Sequence, residues 1–273
     1  MEMNEPVRIL ERYVQGKYVD PEQCEDGIFV NDRYVAVIDG VTTKSARRYQ
    51  GKRSGRIAME IVKKKLSVLS GDLSAEDFLN SLSGAVQNFV EKENCKDNEI
   101  PRACVIAYSV NRKRIYAYGD CQYRMNGRTY SVHKRIDRMN ETLRSYVIST
   151  ALKQGKTMKE IEADDPGRKA IQPYLKTQYL YENEDGPFGY AVLNGQPVNP
   201  SMITDVPVSE GTEVILASDG YPAVKDTLKE SENVLAEMLE KDPLCYTINP
   251  QTKGLQKDQI SYDDRSYIRF VAE

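Results

Sequence analysis

A short apolar run that ends in an aspartate constrains this chain more than any other feature. Residues Val35–Ile38 are apolar and mostly β-branched, and Asp39-Gly40 follows them directly. Such a run is typical of a buried strand, and Asp-Gly is typical of the turn that ends one. The arrangement recurs far downstream, where Val214–Ala217 is followed by Ser218 and then by Asp219-Gly220. Both aspartates are therefore predicted to lie where a buried strand stops.

A further carboxylate is predicted to lie beside Asp39. Residues 28–38 have the pattern of a hairpin with its turn at Asn31-Asp32, and Glu25-Asp26 come just before it. Because the two strands of a hairpin meet at both ends, Asp26 and Asp39 are expected at the same end of the sheet.

More acidic residues flank two other strand-like segments. Asp120 follows the segment 115–119, and Asp263-Asp264 come shortly before the segment 267–271. Crowded carboxylates repel one another unless a cation is present, and Mg²⁺ and Mn²⁺ prefer oxygen ligands. If these residues converge, they form a divalent-metal site. The alternative is that they are ordinary turn residues, because Asp-Gly is common in turns.

Composition excludes several classes of protein. The 273 residues are 40% hydrophobic and 29% charged, and the net charge of −3 argues against a general nucleic-acid binder. No apolar run approaches the roughly 18–20 residues that cross a membrane, and the polar segment 1–6 is unlike a signal peptide. The five cysteines are scattered, as is usual for reduced thiols, so a cytoplasmic protein is expected. A single histidine, His133, excludes histidine-rich zinc sites.

The order of predicted elements favours one α+β domain over residues 1–273. Strand-like segments alternate with amphipathic helices that begin near Ser54 and at the capping sequence Ser74–Asp77, and Asn126-Gly127 predicts a tight hairpin. Residues 190–193 are predicted as a further short strand. The charged segment 137–181 leans towards helix and is predicted to be an insertion over one end of the sheet.

The ordered acidic motifs resemble those of the metal-dependent type 2C protein serine/threonine phosphatases, as in a divergent bacterial-like member. Asp39-Gly40 is similar to the family's first Asp-Gly, and Gly119–Cys121 to its Gly-Asp-Ser. Leu216–Gly220 matches its Ala-Ser-Asp-Gly, and Asp263–Ser266 its Asp-Asn-x-Ser/Thr. The resemblance implies a four-layer α-β-β-α sandwich, in which two packed antiparallel sheets are flanked by helices.

The same resemblance implies a role for each acidic residue in holding two Mn²⁺ or Mg²⁺ ions, with a third, weaker site. Asp39 would bridge the two ions, and Asp219 and Asp263 would hold the first. These three aspartates are the catalytic candidates, acting through water activated between the metals. Asp26 and the Gly40 carbonyl would hold the second ion, with Glu25 and Asp264 as second choices. Asp120 would belong to the third site.

Three departures from the family pattern concern phosphate binding and proton transfer. The loop Asp39–Thr43 lacks the family's glycine pair, and Pro101–Ala103 replaces its Ser-Gly-Thr. The arginine expected before Glu-Asp is absent, which leaves Lys17 or Arg12 as candidate phosphate-binding cations unless both are surface charges. His133 is a candidate general acid or else a structural residue.

The motifs and the departures together leave more than one hypothesis for function. The leading one is a metal-dependent phosphomonoester hydrolase acting on phosphoserine or phosphothreonine in a protein, expected to be a monomer in cytoplasmic signalling. The alternative is a phosphatase-like pseudoenzyme that binds metal or a partner without turnover.

The segment 137–181 is predicted to govern substrate choice. The basic run 44–53 either steers an acidic substrate or is a solvated loop.

Overall fold

The computed structural model describes residues 7–42 and 44–273. Thr43, in the loop that departs from the family motif, and the polar segment 1–6 lie outside the described residues.

The strands are β1 (Val7–Gln15), β2 (Asp26–Val30), β3 (Tyr34–Val41), β4 (Arg102–Ser109), β5 (Arg114–Tyr118), β6 (Gln122–Met125), β7 (Arg128–Tyr130), β8 (Thr204–Pro207), β9 (Glu213–Ala217) and β10 (Arg265–Ala272). The helices are α1 (Ser54–Leu66), α2 (Ala75–Glu93), α3 (Arg135–Lys153), α4 (Met158–Ala163), α5 (Pro166–Thr177) and α6 (Leu228–Lys241). Short 3-10 helices occupy Pro21–Gln23, Asp97–Glu99, Gln178–Tyr181 and Pro200–Met202.

The strands form two five-stranded antiparallel sheets. One sheet has the order β1-β10-β9-β6-β7 and the other the order β2-β3-β4-β5-β8. Their facing sides share a buried core that includes Val37 and Ile106 from one sheet and Leu216 and Phe270 from the other. The predicted α+β sandwich of two packed sheets is therefore confirmed.

Helices cover the outer faces of the sandwich. The opposite face of β3, with Tyr34 and Ile38, packs under Val62 of α1 and Phe78 of α2. Strand β3 is apolar on both faces because it is buried on both sides. On the other sheet, Leu228 at the start of α6 packs against Ile215 and its buried neighbours.

Local sequence signals position several of these elements. The Asn31 side chain accepts hydrogen bonds from the backbone of Arg33 and Tyr34 and so closes the β2–β3 turn. Ser74 caps α2 as expected, by accepting from the Asp77 backbone at 3.1 Å. Asn126 and Gly127 both have positive φ, as a two-residue hairpin turn requires. The strand predicted over 190–193 is wrong, because these residues make only isolated bridges.

The helices of the segment 137–181 pack on one another and on the chain that precedes β10. Arg144 of α3 is fully buried and donates to the carbonyl oxygens of Leu244, Cys245 and Gln251 at 2.8–3.0 Å. Its guanidinium also pairs with Asp165 at the N-terminus of α5. No helix among residues 7–42 and 44–273 is long and apolar enough to cross a membrane.

Candidate active site

The ends of the central strands bring the predicted carboxylates to one edge of the sandwich. Asp26 at the start of β2 is the register partner of Asp39 near the end of β3. Asp219 follows β9 and Asp263 precedes β10, so both belong to the opposite sheet. Asp120 lies where the chain crosses from β5 in one sheet to β6 in the other. The site is therefore built by both sheets together.

Three of these carboxylates are close enough to share a cation. Oxygen atoms of Asp39, Asp120 and Asp219 all lie within 4.8 Å of one another. An all-oxygen, all-carboxylate set suits a hard divalent ion such as Mg²⁺ or Mn²⁺ and does not suit a soft metal.

The acidic groups of the cluster interact strongly in the absence of a cation. Burial, followed by the charge of Asp26 and then of Asp120, raises the pKa of Asp39 well above its usual range. Desolvation and the Asp264 carboxylate raise the pKa of Asp26 in the same way. The pKa of Asp219 is also raised, by desolvation and by Asp39 and Asp120. Desolvation and mutual repulsion therefore both oppose ionisation of these carboxyl groups when no cation is bound.

A second group of oxygen atoms lies next to Asp39. Oε1 of Glu25 and Oδ2 of Asp26 are buried, with no hydrogen-bond partner among the described residues. Gly55 in the first turn of α1 packs closely against this group. A Cβ there would collide with the Gly40 carbonyl oxygen and would lie 2.6 Å from Oε1 of Glu25. Buried carboxylate oxygens without a hydrogen-bond donor fit a divalent cation as their partner.

Lysines already pair with the carboxylates at the opposite side of the cluster. Nζ of Lys17 lies 3.2 Å from Asp263, 3.0 Å from Asp264 and 3.5 Å from Glu25, and this residue is only 4% exposed. Nζ of Lys253 lies 2.6 Å from the other oxygen of Asp263. Although burial acts the other way, these two ammonium groups lower the pKa of Asp263. Asp263 therefore keeps its negative charge.

The structure places Lys17 and Asp264 in contact with each other. Lys17 was a candidate phosphate-binding cation or else a surface charge, and its ammonium is instead buried in ion pairs with carboxylates. The Asp264 carboxylate accepts from the Lys17 backbone, the Lys17 ammonium and the Glu25 backbone at 2.8–3.1 Å, so it holds the β1–β2 connection in place. Arg12 is exposed on β1 and does not line the cavity described below.

A lysine that the sequence did not single out contacts Asp120. Nζ of Lys134, just before α3, lies 2.5 Å from an oxygen of Asp120. Burial alone would raise the pKa of Asp120, but the Lys134 ammonium lowers it. Nothing in the local sequence linked these two residues. By contrast, the sequence contained a weak indication that Gly55 is special, because glycine is a poor helix former and yet occurs at the start of a predicted helix.

The carboxylates lie on the floor of a cavity of about 890 Å³. Asp39, Asp120, Asp219 and Asp263 line its floor, and the helices α3 and α5 supply part of its wall. His133 also lines the cavity, is exposed, and has Nε2 3.1 Å from the Ser131 hydroxyl. The cavity is large enough for a phosphorylated side chain and its neighbours.

Comparison of structures identifies the class of this fold. The serine/threonine phosphatase PstP/Ppp of Mycobacterium tuberculosis is 16% identical and superposes with a TM-score of 0.50 over 97% of this chain and 99% of that one. The catalytic domain of PstP in complex with two manganese ions gives the same identity and TM-score, over 96% and 98% of the two chains. No family model and no curated protein matches this sequence. The chain thus has the fold of the metal-dependent, type 2C-like serine/threonine phosphatases, and the resemblance drawn from its motifs is confirmed at the level of the fold.

Proposed function

We propose that this protein is a metal-dependent phosphomonoester hydrolase that acts on phosphoserine or phosphothreonine in proteins. The observation that carries the proposal is the convergence of Asp39, Asp120 and Asp219 within 4.8 Å on the floor of an open cavity, in this fold. The proposal takes residues 1–273 as one catalytic domain, with 137–181 as its substrate-facing insertion. It describes a cytoplasmic signalling enzyme that works as a monomer.

The donor set supports two Mn²⁺ or Mg²⁺ ions, with a third weaker site at Asp120. Asp39 would contribute to both ion sites. Asp219 and Asp263 would complete one site, and Asp26, the Gly40 carbonyl and Glu25 would complete the other. When bound, such ions activate water and neutralise charge on the phosphoryl group.

Neighbouring lysines fix the charge and the orientation of two carboxylates in the cluster. Lys17 and Lys253 keep Asp263 ionised and fix both of its oxygens. Lys134 does the same for one oxygen of Asp120. His133 lines the cavity, and the proposal assigns it the role of general acid towards the departing serine or threonine oxygen.

The test is hydrolysis of p-nitrophenyl phosphate and of a phosphothreonine peptide with Mn²⁺, Mg²⁺ or EDTA. Wild type should turn over both substrates only with metal. Asp39→Asn should lower kcat/KM by more than the roughly 10–100-fold cost of changing an outer-shell partner of a metal site. The matched control is Asp32→Asn, because this aspartate lies in the turn of the same hairpin with its side chain 77% exposed.

Three other outcomes would overturn the proposal. Absence of turnover with an Mn²⁺-dependent rise in Tm would identify a metal-binding pseudoenzyme. Absence of both would mean that the aspartates are turn residues only. Equal activity of Asp39→Asn and Asp32→Asn would place the chemistry elsewhere.

A further inference from the structure

Three cations from separate parts of the chain line the same cavity as the acidic cluster. Lys44 lies in the loop after β3, Arg168 in the first turn of α5, and Lys253 in the loop before β10. All three line the cavity that contains the carboxylate floor. We call them the cation triad.

One direct contact connects the cation triad to the acidic cluster. Nζ of Lys253 lies 2.6 Å from Asp263 on the cavity floor. Nη1 of Arg168 donates to the carbonyl oxygen of Thr252, the residue before Lys253, at 2.7 Å. The backbone N–H of Arg168 donates to Asp165 at 2.8 Å and fixes this turn of α5. These bonds hold Lys253 and Arg168 in place at the border between the floor and the wall of the cavity.

Two members of the triad have no carboxylate partner among the described residues. Among the described residues, Nζ of Lys44 donates only to the Thr42 carbonyl at 3.2 Å, and the Arg168 guanidinium donates only to the Thr252 carbonyl. Lys44 is exposed and lines the cavity. Desolvation in the cavity and the charges of Arg168 and Lys253 lower the pKa of Lys44 to about 8, against the opposing effect of Asp263 and Glu25. Like charges held together in this way favour an anion between them.

The other cations of the cavity wall are less suited to this role. Arg102, Arg124 and Lys134 are paired with Glu182, Asp226 and Asp120. Arg138, Lys176 and Lys225 also line the cavity, but within the described residues no hydrogen bond or ion pair connects them to the acidic floor. Lys44 and Arg168 have no carboxylate partner among the described residues, the charges of Arg168 and Lys253 both act on Lys44, and Lys253 contacts Asp263 on the floor.

A phosphomonoester dianion approaching a floor of carboxylates needs cations that are not already paired. Neither Lys17 nor Arg12 supplies one, because the first is buried in ion pairs and the second lies outside the cavity. We propose that Lys44 and Arg168, supported by Lys253, form the subsite that binds the substrate phosphate. This inference rests on the proposed function. It also makes the segment 137–181 part of the phosphate site through Arg168.

The experiment measures phosphate binding and turnover separately. Inorganic phosphate is titrated by calorimetry into the full chain with Mg²⁺, and KM and kcat are measured with p-nitrophenyl phosphate. Lys44→Met and Arg168→Met should each raise the phosphate Kd and the KM by about 10-fold or more, which is typical for loss of one charge-assisted hydrogen bond. The value of kcat should stay within about 3-fold of wild type, because each change weakens the binding of the substrate and of the transition state by the same amount.

The matched control is Lys169→Met. This residue neighbours Arg168 on the same helix, but its side chain is 65% exposed and pairs with Asp164. Its replacement should leave the phosphate Kd and KM unchanged. Arg168→Met loses a bond to Thr252, so its Tm is also measured. Lys44→Met loses only a bond to an adjacent carbonyl and decides the test if Arg168→Met fails to fold.

The outcomes separate this inference from the proposed function. If wild type hydrolyses phosphate esters but Lys44→Met keeps the wild-type Kd and KM, the subsite is wrong and the hydrolase stands. If wild type has no turnover, the calorimetric titration alone decides. A phosphate Kd raised by Lys44→Met would then support the subsite, and an unchanged or absent binding signal would overturn it.

Discussion

At the scale of single residues, the glycine at the start of α1 allows this helix to pack closely against the acidic cluster. Any side chain at Gly55 would collide with the Gly40 carbonyl oxygen and approach Oε1 of Glu25. A Cβ at Gly84 in α2 would meet no atom within 4 Å. Close packing therefore excludes a side chain at Gly55 but not at Gly84, although glycine has the same intrinsic helix propensity at both positions.

Replacing each of these glycines by alanine tests this difference. Gly55→Ala should lower the free energy of unfolding by about 1–3 kcal/mol through overpacking. It should also weaken the Mn²⁺-dependent rise in Tm, because the methyl group would displace the Gly40 carbonyl and the Glu25 carboxylate from their present positions. Gly84→Ala should raise stability by up to about 1 kcal/mol. Both are measured by denaturant unfolding with and without Mn²⁺, and equal effects of the two changes would contradict this interpretation.

At the scale of secondary-structure elements, Arg144 attaches the helices of the segment 137–181 to the chain that precedes β10. Arg144 links α3 to three carbonyl groups in the loop 244–251 and to Asp165 at the start of α5. Gly167 allows α5 to approach α3 closely, because a Cβ there would lie 2.6 Å from the Arg144 carbonyl oxygen. The position of Arg168 in the cavity depends on this attachment.

Loss of the Arg144 side chain should loosen the insertion. Arg144→Leu leaves three carbonyl groups and a partly buried carboxylate without their donor, at about 1–3 kcal/mol for each unsatisfied group that stays buried. We expect a lower Tm and faster proteolysis within residues 135–181, measured by limited digestion and mass spectrometry. Arg138→Leu on the same helix is the control, because Arg138 is exposed. The interpretation fails if the two variants are digested at the same rate.

At the scale of the whole molecule, packing between the sheets determines the geometry of the acidic cluster. Asp39 belongs to one sheet and Asp219 and Asp263 to the ends of strands in the other. The core between the sheets includes Tyr108 and Phe270, whose ring centroids are 5.3 Å apart. A change in this core, far from the carboxylates, should therefore alter metal binding.

Phe270→Ala tests the connection between the core and the cluster. Removal of a fully buried ring should cost about 3–5 kcal/mol, and the apparent Mn²⁺ affinity should fall because the two sheets no longer hold their spacing. Phe188→Ala is the control, since this ring is only half-buried against Tyr181. Thermal unfolding and Mn²⁺ titration give both quantities. Unchanged Mn²⁺ affinity in a destabilised but folded Phe270→Ala would show that the cluster does not depend on this contact.

Local chemistry made much of the fold predictable from the sequence alone. The apolar runs that end in Asp39 and Asp219 defined buried strands, and the hairpin pattern placed Asp26 opposite Asp39. The turn at Asn126-Gly127 and the cap at Ser74 also followed from neighbouring residues. Patterns of this kind depend on a few consecutive residues, so they can be recognised without the tertiary structure.

The tertiary structure decided which charges meet in the site. Lys17 contacts Asp264 across 247 positions of sequence and is buried, whereas the sequence offered a phosphate-binding or a surface role for it. The pairing of Lys134 with Asp120, and the bond from Arg168 to the Thr252 carbonyl, likewise carried no sequence signal. Side-chain periodicity specifies which face of a strand or helix is buried, but it does not specify which distant charge lies opposite. That choice depends on how two sheets and an inserted group of helices pack together.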